Sequence, residues 1–219
     1  MFLTTDDGVK IAYDFFPSTG SGQAPPKGYF VLIHTMPTTK ESWKDFAEHA
    51  KAKGYSSIAI DLRGHGQSAG GPDGYEQFTD AEHQRGIVDI HAAVEFLFQQ
   101  GATSDKIWLI GASIGANLSL WYLSEHKEFP GVILLSPGFN YRGVQAGQFY
   151  DRLWPGQKVM VVTARDDKDN NARMNETMFG GIPAEIKKEL VVFDDGGHGT
   201  DMFKKHPELK NKILEFISQ

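Results

Sequence analysis

Cysteine is absent from this chain of 219 residues. Without thiols the protein has no disulfide bond, no thiolate ligand for a metal and no cysteine nucleophile. No stretch approaches the run of about 18 apolar residues that a transmembrane helix needs. The N-terminal segment is acidic and lacks the apolar run of a signal peptide. These absences favour a cytoplasmic protein, or a secreted or periplasmic one if a leader has been removed.

Positively charged residues are also fewer than negatively charged ones. Lysine and arginine number 22 against 28 aspartates and glutamates, which gives a net charge of −6, and no five like charges follow one another. An acidic balance of this kind argues against nucleic acid and against an anionic membrane surface as main partners. We therefore expect a small-molecule partner. The oligomeric state is not indicated by the sequence.

Apolar residues are frequent enough for one large core. Hydrophobic residues make up 40 % of the chain and charged residues 23 %, and no linker rich in Pro, Gly or Ser divides its middle. Folds of the α/β class often run to about 200–250 residues as one domain. We expect residues 1–219 to form a single domain.

Short, nearly continuous runs of Val, Ile and Leu alternate with amphipathic stretches. Such runs are typical of parallel strands buried on both faces. They occupy residues 29–34, 56–61, 106–112, 131–137, 158–164 and 189–195. The helical patterns occupy residues 41–53, 76–100 and 205–218. This alternation predicts an α/β fold, a mostly parallel sheet with helices on both faces. The turn signal Asp6-Asp7-Gly8 adds an antiparallel hairpin of residues 2–5 and 9–16 at its edge.

The sharpest motif is Gly111-Ala112-Ser113-Ile114-Gly115, which follows a predicted strand and opens a helical pattern. A serine on a tight strand-to-helix turn exposes its hydroxyl, and the flanking glycines let the strand and the helix approach closely. The helix N-terminus offers free N–H groups and positive potential to an oxyanion. A chance match is the alternative, but the strand before and the helix after favour Ser113 as a nucleophile.

A nucleophilic serine needs a base, and the base needs an acid that orients it. Downstream of Ser113, one predicted strand runs into RDDKD (165–169), and the next runs into GGHG (196–199). Both segments lie just past the carboxyl ends of strands, where sites form in open α/β sheets. His198 is therefore the candidate base. One of Asp166, Asp167 and Asp169 is the candidate acid, and the other two are turn residues.

Four motifs make the chain resemble the α/β-hydrolase superfamily over nearly its full length. They are HTMP (34–37), DLRGHGQS (61–68), the serine motif, and the Asp and His segments in the order Ser, Asp, His. The resemblance implies the α/β-hydrolase fold. It implies no cap domain, because the interval 138–157 is too short to hold one. It also implies Asp167 as the triad acid, since relatives often place this acid three residues beyond a small residue that ends the strand, here Ala164.

The same resemblance implies an oxyanion hole built from the N–H groups of Met36 and Ile114. Thr35 stands where relatives commonly have glycine, which bears on the conformation of the loop but leaves the Met36 N–H in place. His34 would then support the loop, and His65 would be a turn residue beside the site.

The loop 138–157 is rich in aromatic residues, among them Phe139, Tyr141 and Trp154. Two interpretations are open: these side chains form a partial wall for an acyl or alcohol pocket, or they pack the loop onto the edge of the sheet.

These patterns predict a serine hydrolase, a carboxylesterase that cleaves small acyl esters through Ser113, His198 and Asp167. We expect no cofactor and no metal: His83 and His91, eight positions apart, do not share a helix face closely, and no dinucleotide motif follows a strand. The same triad would serve an acyl thioesterase or a small-peptide or amide hydrolase. A binding module without catalysis on the same fold is the alternative of another class.

Overall fold

A computed structural model of the protein describes residues 1–18, 25–168 and 172–219. Within these ranges the strands are β1 (Phe2–Thr4), β2 (Lys10–Phe16), β3 (Tyr29–Ile33), β4 (Ser56–Ile60), β5 (Ile107–Ala112), β6 (Gly131–Leu135), β7 (Lys158–Ala164) and β8 (Lys187–Phe193). They form one sheet in the order β1-β2-β4-β3-β5-β6-β7-β8. Strands β3 to β8 are parallel, and the hairpin of β1 and β2 joins β4 in antiparallel fashion. The predicted mostly parallel sheet with an N-terminal hairpin is confirmed.

Helices cover both faces of this sheet. Their bounds are α1 (Lys44–Ala52), α2 (Asp80–Gln84), α3 (Gly86–Gln99), α4 (Ile114–Glu125), α5 (Gly147–Tyr150), α6 (Ala172–Gly180), α7 (Met202–Lys205) and α8 (Leu209–Ser218). Side chains of α3, α4 and α6 share one core with one face of the sheet, and those of α1, α7 and α8 share a second core with the other. Successive residues of β3 alternate between the two cores, so the whole strand is buried. This is why the strands appear in the sequence as unbroken apolar runs.

Two of the predicted helical stretches are each divided in the structure. The stretch 76–100 contains α2, which begins after a capping box at Thr79, and α3, and the two helices meet at Arg85. The stretch 205–218 contains only the end of α7 and then α8, since Pro207 has no N–H to donate and the second helix begins at Leu209. Helix α6 was not predicted, because only three of its residues are buried and its apolar periodicity is weak.

The interval between β6 and β7 is described in full and contains one short helix, α5. It holds no cap domain, as predicted. Among the described helices none is long and apolar enough to cross a bilayer.

The predicted turn after β4 is built around one buried carboxylate. Asp61 accepts the backbone N–H of Lys40 at 2.7 Å and that of Gln67 at 3.0 Å, and its Oδ2 lies 3.3 Å from the Lys40 ammonium. His65 in the same turn donates from Nδ1 to the Arg63 carbonyl at 3.0 Å and stacks on Tyr75. Burial lowers the pKa of His65.

We predict that Asp61→Ala lowers the free energy of unfolding by about 3–5 kcal/mol, because it removes the acceptor of the Lys40 and Gln67 N–H groups and the fully buried carboxylate that faces the Lys40 ammonium. The measurement is urea denaturation of both proteins. Glu41→Gln is the matched control: Glu41 also binds the Lys40 ammonium but its side chain is 61 % exposed, so its loss should cost less than about 1 kcal/mol. Equal effects of the two substitutions would contradict the prediction.

Candidate active site

Ser113 lies on the turn between β5 and α4 in a strained backbone conformation. Its φ is 56° and its ψ −120°, a backbone conformation that residues other than glycine rarely adopt. The turn is possible because two glycines pack without side chains: a Cβ on Gly111 would lie 2.1 Å from the Gly115 carbonyl, and one on Gly115 would lie 2.5 Å from the Ile33 carbonyl. The Ser113 N–H is fixed by the Leu135 carbonyl at 2.8 Å. The serine is therefore presented at the amino end of α4, as its motif predicts.

Asp167 and His198 meet at the carboxyl ends of β7 and β8. Nδ1 of His198 lies 2.8 Å from Oδ2 of Asp167 and 3.0 Å from Oδ1. The carboxylate is fully buried, while the imidazole keeps 17 % of its surface exposed. Because Nδ1–H donates to the carboxylate, the neutral ring carries its free lone pair on Nε2. This is the tautomer that a general base needs.

The neighbouring acids are placed differently. Asp166 is exposed and its Oδ1 accepts the backbone N–H of Gly197 at 2.9 Å, so it holds the loop of His198 rather than the ring. Asp169 lies outside the described residues. The turn itself separates the two adjacent side chains, with the Asp167 N–H donating to the Ala164 carbonyl at 3.3 Å.

The loop of His198 lies against the turn that carries the serine. A Cβ placed on Gly199 would lie 3.2 Å from Cβ of Ala112, the residue before Ser113, and 3.7 Å from Cγ2 of Thr35. Across the described ranges the Ser113 hydroxyl and the imidazole form no hydrogen bond with each other. Catalytic hydrogen bonds are often long in unliganded sites and tighten when substrate binds.

Two backbone N–H groups flank the serine without acceptors of their own. Neither the Met36 N–H nor the Ile114 N–H donates to any atom of the described residues. The loop of Met36 is fixed through the Thr35 carbonyl, which accepts the N–H and the hydroxyl of Thr38 at 2.9 and 2.8 Å. The arrangement leaves both predicted oxyanion donors available.

His34 supports this loop from below. Its Nδ1 donates to the Thr35 carbonyl at 2.9 Å, and its Nε2 accepts the Leu62 N–H at 3.0 Å. Burial lowers the pKa of His34 to about 3, so the ring is neutral and does structural work. Thr35 does not have a positive φ; threonine therefore replaces the usual glycine without backbone strain.

The start of the aromatic loop forms a fixed wall beside His198. Asn117, one turn along α4 from the serine, donates from Nδ2 to the carbonyls of Gly138 and Val144, both at 2.8 Å, and accepts the Gly138 N–H at 3.1 Å. The Tyr141 and His198 rings are nearly perpendicular, with 6.5 Å between their centroids. Further along, Phe149 and Tyr150 are buried in the core. The packing interpretation is thus confirmed for Phe149 and Tyr150, while a pocket wall formed by the exposed part of the loop stays a prediction.

Sequence reasoning missed Asn117, although a signal was present. It is a fully buried amide in an otherwise apolar stretch of helix directly after the serine motif. Such a residue must satisfy its hydrogen bonds inside the protein. Among the described residues, no group of three His, Asp or Glu side chains is arranged to hold a metal ion.

A family model described as serine aminopeptidase, S33, matches residues 24–178, more than half of the chain. The chain belongs to this family. The matched range contains Met36, Ser113, Ile114 and Asp167 and ends before His198. Members of the S33 family are α/β hydrolases, so the family and the sheet topology agree.

Relatives of known name share parts of the chain. A bifunctional esterase/perhydrolase of Acinetobacter calcoaceticus is 30 % identical over 129 residues, which are 59 % of this chain and 41 % of that protein. A non-heme chloroperoxidase of Kitasatospora aureofaciens is 39 % identical over 79 residues, which are 36 % of this chain and 26 % of that protein. The chain thus spans less than half the length of these relatives.

Solved structures match over the whole chain. An esterase of Pyrococcus furiosus has a TM-score of 0.80 at 20 % identity, covering 100 % of this chain and 89 % of that one. An esterase of Exiguobacterium antarcticum has a TM-score of 0.77 at 16 % identity, covering 100 % and 99 %. At these identities the likeness establishes the α/β-hydrolase fold.

We predict that Asp167→Asn lowers kcat by about 10³–10⁴-fold, because an amide cannot fix the imidazole tautomer or stabilise the imidazolium. Asp166→Asn is the matched control. It keeps an oxygen that can accept the Gly197 N–H, so kcat should change only a few-fold. Initial rates of ester hydrolysis measure both. A large loss in Asp166→Asn with little loss in Asp167→Asn would reverse the assignment of the acid.

Proposed function

We propose that this S33-family chain is a carboxylesterase that cleaves small acyl esters through an acyl-enzyme on Ser113. The observation that carries the proposal is the hydrogen bond from His198 Nδ1 to the buried Asp167 carboxylate, next to a serine in a strained turn. Such a pair beside a nucleophilic residue is the arrangement that activates a serine. The hydrolase family and the esterases among its structural neighbours support the same reaction class.

The acylation step uses all three side chains. His198 Nε2 takes the proton of the Ser113 hydroxyl while Oγ attacks the carbonyl carbon of the ester. Asp167 stabilises the imidazolium that forms. The proton then passes from Nε2 to the alcohol oxygen, the bond between this oxygen and the acyl carbon breaks, and the acyl group stays on Ser113.

The reaction also requires hydrogen-bond donors that stabilise the oxyanion of the tetrahedral intermediate. The free N–H groups of Met36 and Ile114 lie on two different elements: Met36 is in the loop after β3, and Ile114 is the first residue of α4. One well-placed donor of this kind contributes about 3–4 kcal/mol to the transition state. Water, deprotonated by His198, then attacks the acyl-serine in the same way and releases the acid.

The open approach to the site favours small acyl groups. The only element between β6 and β7, a stretch described in full, is α5, and Phe139 on the aromatic loop is half exposed. A short wall can bury only a few methylenes of an acyl chain. Beyond those, each further methylene lies in water and adds no binding energy.

The experiment is hydrolysis of p-nitrophenyl esters with acyl chains from acetate to palmitate, below their micelle limits. We expect kcat/KM to rise about fourfold per buried methylene, to reach its maximum near butyrate or hexanoate, and to fall by at least about 10⁴-fold in Ser113→Ala. A maximum at dodecanoate or longer would contradict the small-acyl assignment.

Alternatives are separated by two additions to this experiment. Thioesters and aminoacyl amides with the same acyl groups test whether another leaving group is preferred. Labelling with a fluorophosphonate separates an enzyme from a binding module, because only an activated serine reacts. Retained hydrolysis in folded Ser113→Ala, or no labelling of the wild-type protein, would refute the proposed mechanism.

A second candidate reaction is perhydrolysis, favoured by the name of the Acinetobacter relative, a bifunctional esterase/perhydrolase. Hydrogen peroxide would replace water as the group that attacks the acyl-serine. One peroxide oxygen bonds to the acyl carbon and gives its proton to His198. The bond between the acyl carbon and Ser113 Oγ then breaks, Oγ takes the proton from His198, and a peracid leaves. We expect peracid to form from a short-chain ester and peroxide in the wild-type protein but not in Ser113→Ala. No peracid above the uncatalysed level would exclude this activity.

A further inference from the structure

The backbone on both sides of His198 is held by side chains from two other strand ends. The N–H of Gly199 donates to Oγ of Ser136 at 3.0 Å, and the N–H of Gly197 donates to Oδ1 of Asp166 at 2.9 Å. Ser136 is fully buried, whereas Asp166 is exposed. The hydroxyl of Ser136 is thus the buried one of the two attachments.

Ser136 takes a backbone conformation that serine does not favour. Its φ is 49°, in the left-handed region, which glycine adopts without steric cost. In the described chain the other residues besides glycine with positive φ are Ser113 and Arg142. Strained residues of this kind cluster at functional sites, where the surrounding structure holds them. The side chain, not the backbone, is therefore what serine supplies at this position.

The place of Ser136 in the sheet connects the parts of the site. It directly follows β6, between the strand that leads to Ser113 and the strand that leads to Asp167. Its own N–H donates to the Val162 carbonyl of β7 at 2.8 Å, and the residue before it accepts the Ser113 N–H at 2.8 Å. Because hydrogen bonds to both neighbouring strands fix the backbone at Ser136, its hydroxyl holds the His198 loop at a fixed position.

The Ser136 hydroxyl would limit the conformational freedom of the His198 loop. The residues on either side of His198 are glycines with φ of 71° and 57°, and glycine has the largest conformational freedom of any residue. Without these attachments the imidazole could shift relative to Ser113, and the length and angle of its hydrogen bond to Asp167 would change with it.

We propose that Ser136 is a positioning residue for His198: its hydroxyl accepts the Gly199 N–H and so sets the place of the imidazole relative to Ser113. The proposal rests on the proposed function, in which His198 is the base. It predicts that loss of the hydroxyl impairs the chemical step while substrate binding changes little, because the Ser136 side chain is buried beneath the site.

The test compares Ser136→Ala with Ser136→Gly. Both remove the acceptor, but glycine also removes the backbone strain, so a protein that merely needed a stable turn would be improved by it. We expect kcat to fall roughly ten- to hundredfold in both variants with KM nearly unchanged, since displacements of about 1 Å have effects of this size. Ser124→Ala is the control. It deletes another buried hydroxyl, bonded to the Trp121 carbonyl within α4, and kcat should stay within about twofold of wild type.

A second readout does not depend on turnover. We expect the His198 Nδ1 proton, hydrogen-bonded to Asp167, to give a far-downfield proton resonance, which its loss in His198→Gln would assign. We expect this resonance to shift or broaden in both Ser136 variants and to stay in place in Ser124→Ala.

The two readouts separate the ways in which the inference can fail. If the wild-type protein cleaves no ester, the proposed function fails, and the resonance alone decides whether Ser136 positions the ring. If the wild-type protein is active, unchanged kcat in Ser136→Gly overturns the proposal, and so does an unchanged resonance.

Discussion

The contact of β5 with α4 is the constraint on which the rest of the site depends. It leaves no room for a side chain at Gly111 or Gly115, where a Cβ would fall within 2.1 and 2.5 Å of backbone carbonyl oxygens. Because the helix starts this close to the strand, Ser113 must turn through a strained φ, and the Ile114 N–H is left without an intrahelical acceptor. A Cβ on Gly115 would also lie 2.7 Å from the His34 carbonyl. The loop of Met36 is thereby brought to the same end of the helix.

Parallel strands explain how residues far apart in the chain reach one edge. Met36, Ser113, Ser136, Asp167 and His198 each follow a strand, and their strands are consecutive neighbours in the sheet, β3-β5-β6-β7-β8. Burial keeps His34 neutral at this edge, and the fully buried Asp167 carboxylate is bonded to His198. A carboxylate in such surroundings interacts strongly with an imidazolium that forms beside it. Without this partner, the same burial of the charged carboxylate would destabilise the folded protein.

The strands, and the chain order of the three residues proposed as a triad, were predictable because each leaves a pattern in the sequence. Burial on both faces makes unbroken apolar runs, and a parallel sheet puts the residues after those runs together. The choice of Asp167 over Asp166 needed the resemblance, since a pattern of adjacent acids does not say which one faces the imidazole. Ser136 could not be found at all, because its partner Gly199 is 63 positions away and one hydroxyl has no periodic signature. The break at Arg85 was missed because the apolar periodicity of this stretch lies in α3, whereas α2 is polar and buries only His83.

The strained backbone at Ser113 and Ser136 is stabilised by hydrogen bonds that continue the sheet beyond the ends of its strands. The N–H of Ser113 donates to Leu135 of β6, that of Ser136 to Val162 of β7, and that of Arg165 to Phe193 of β8. Each strand end is thus bonded to the next strand in the direction of His198. A residue with positive φ costs about 1–3 kcal/mol, roughly what one or two such hydrogen bonds return in a buried setting. The proposed nucleophile Ser113, the Ser136 hydroxyl and the turn of Asp167 are therefore stabilised as one connected row. A change in the register of any one of these strands would release the strained residue beside it and move the site as a whole.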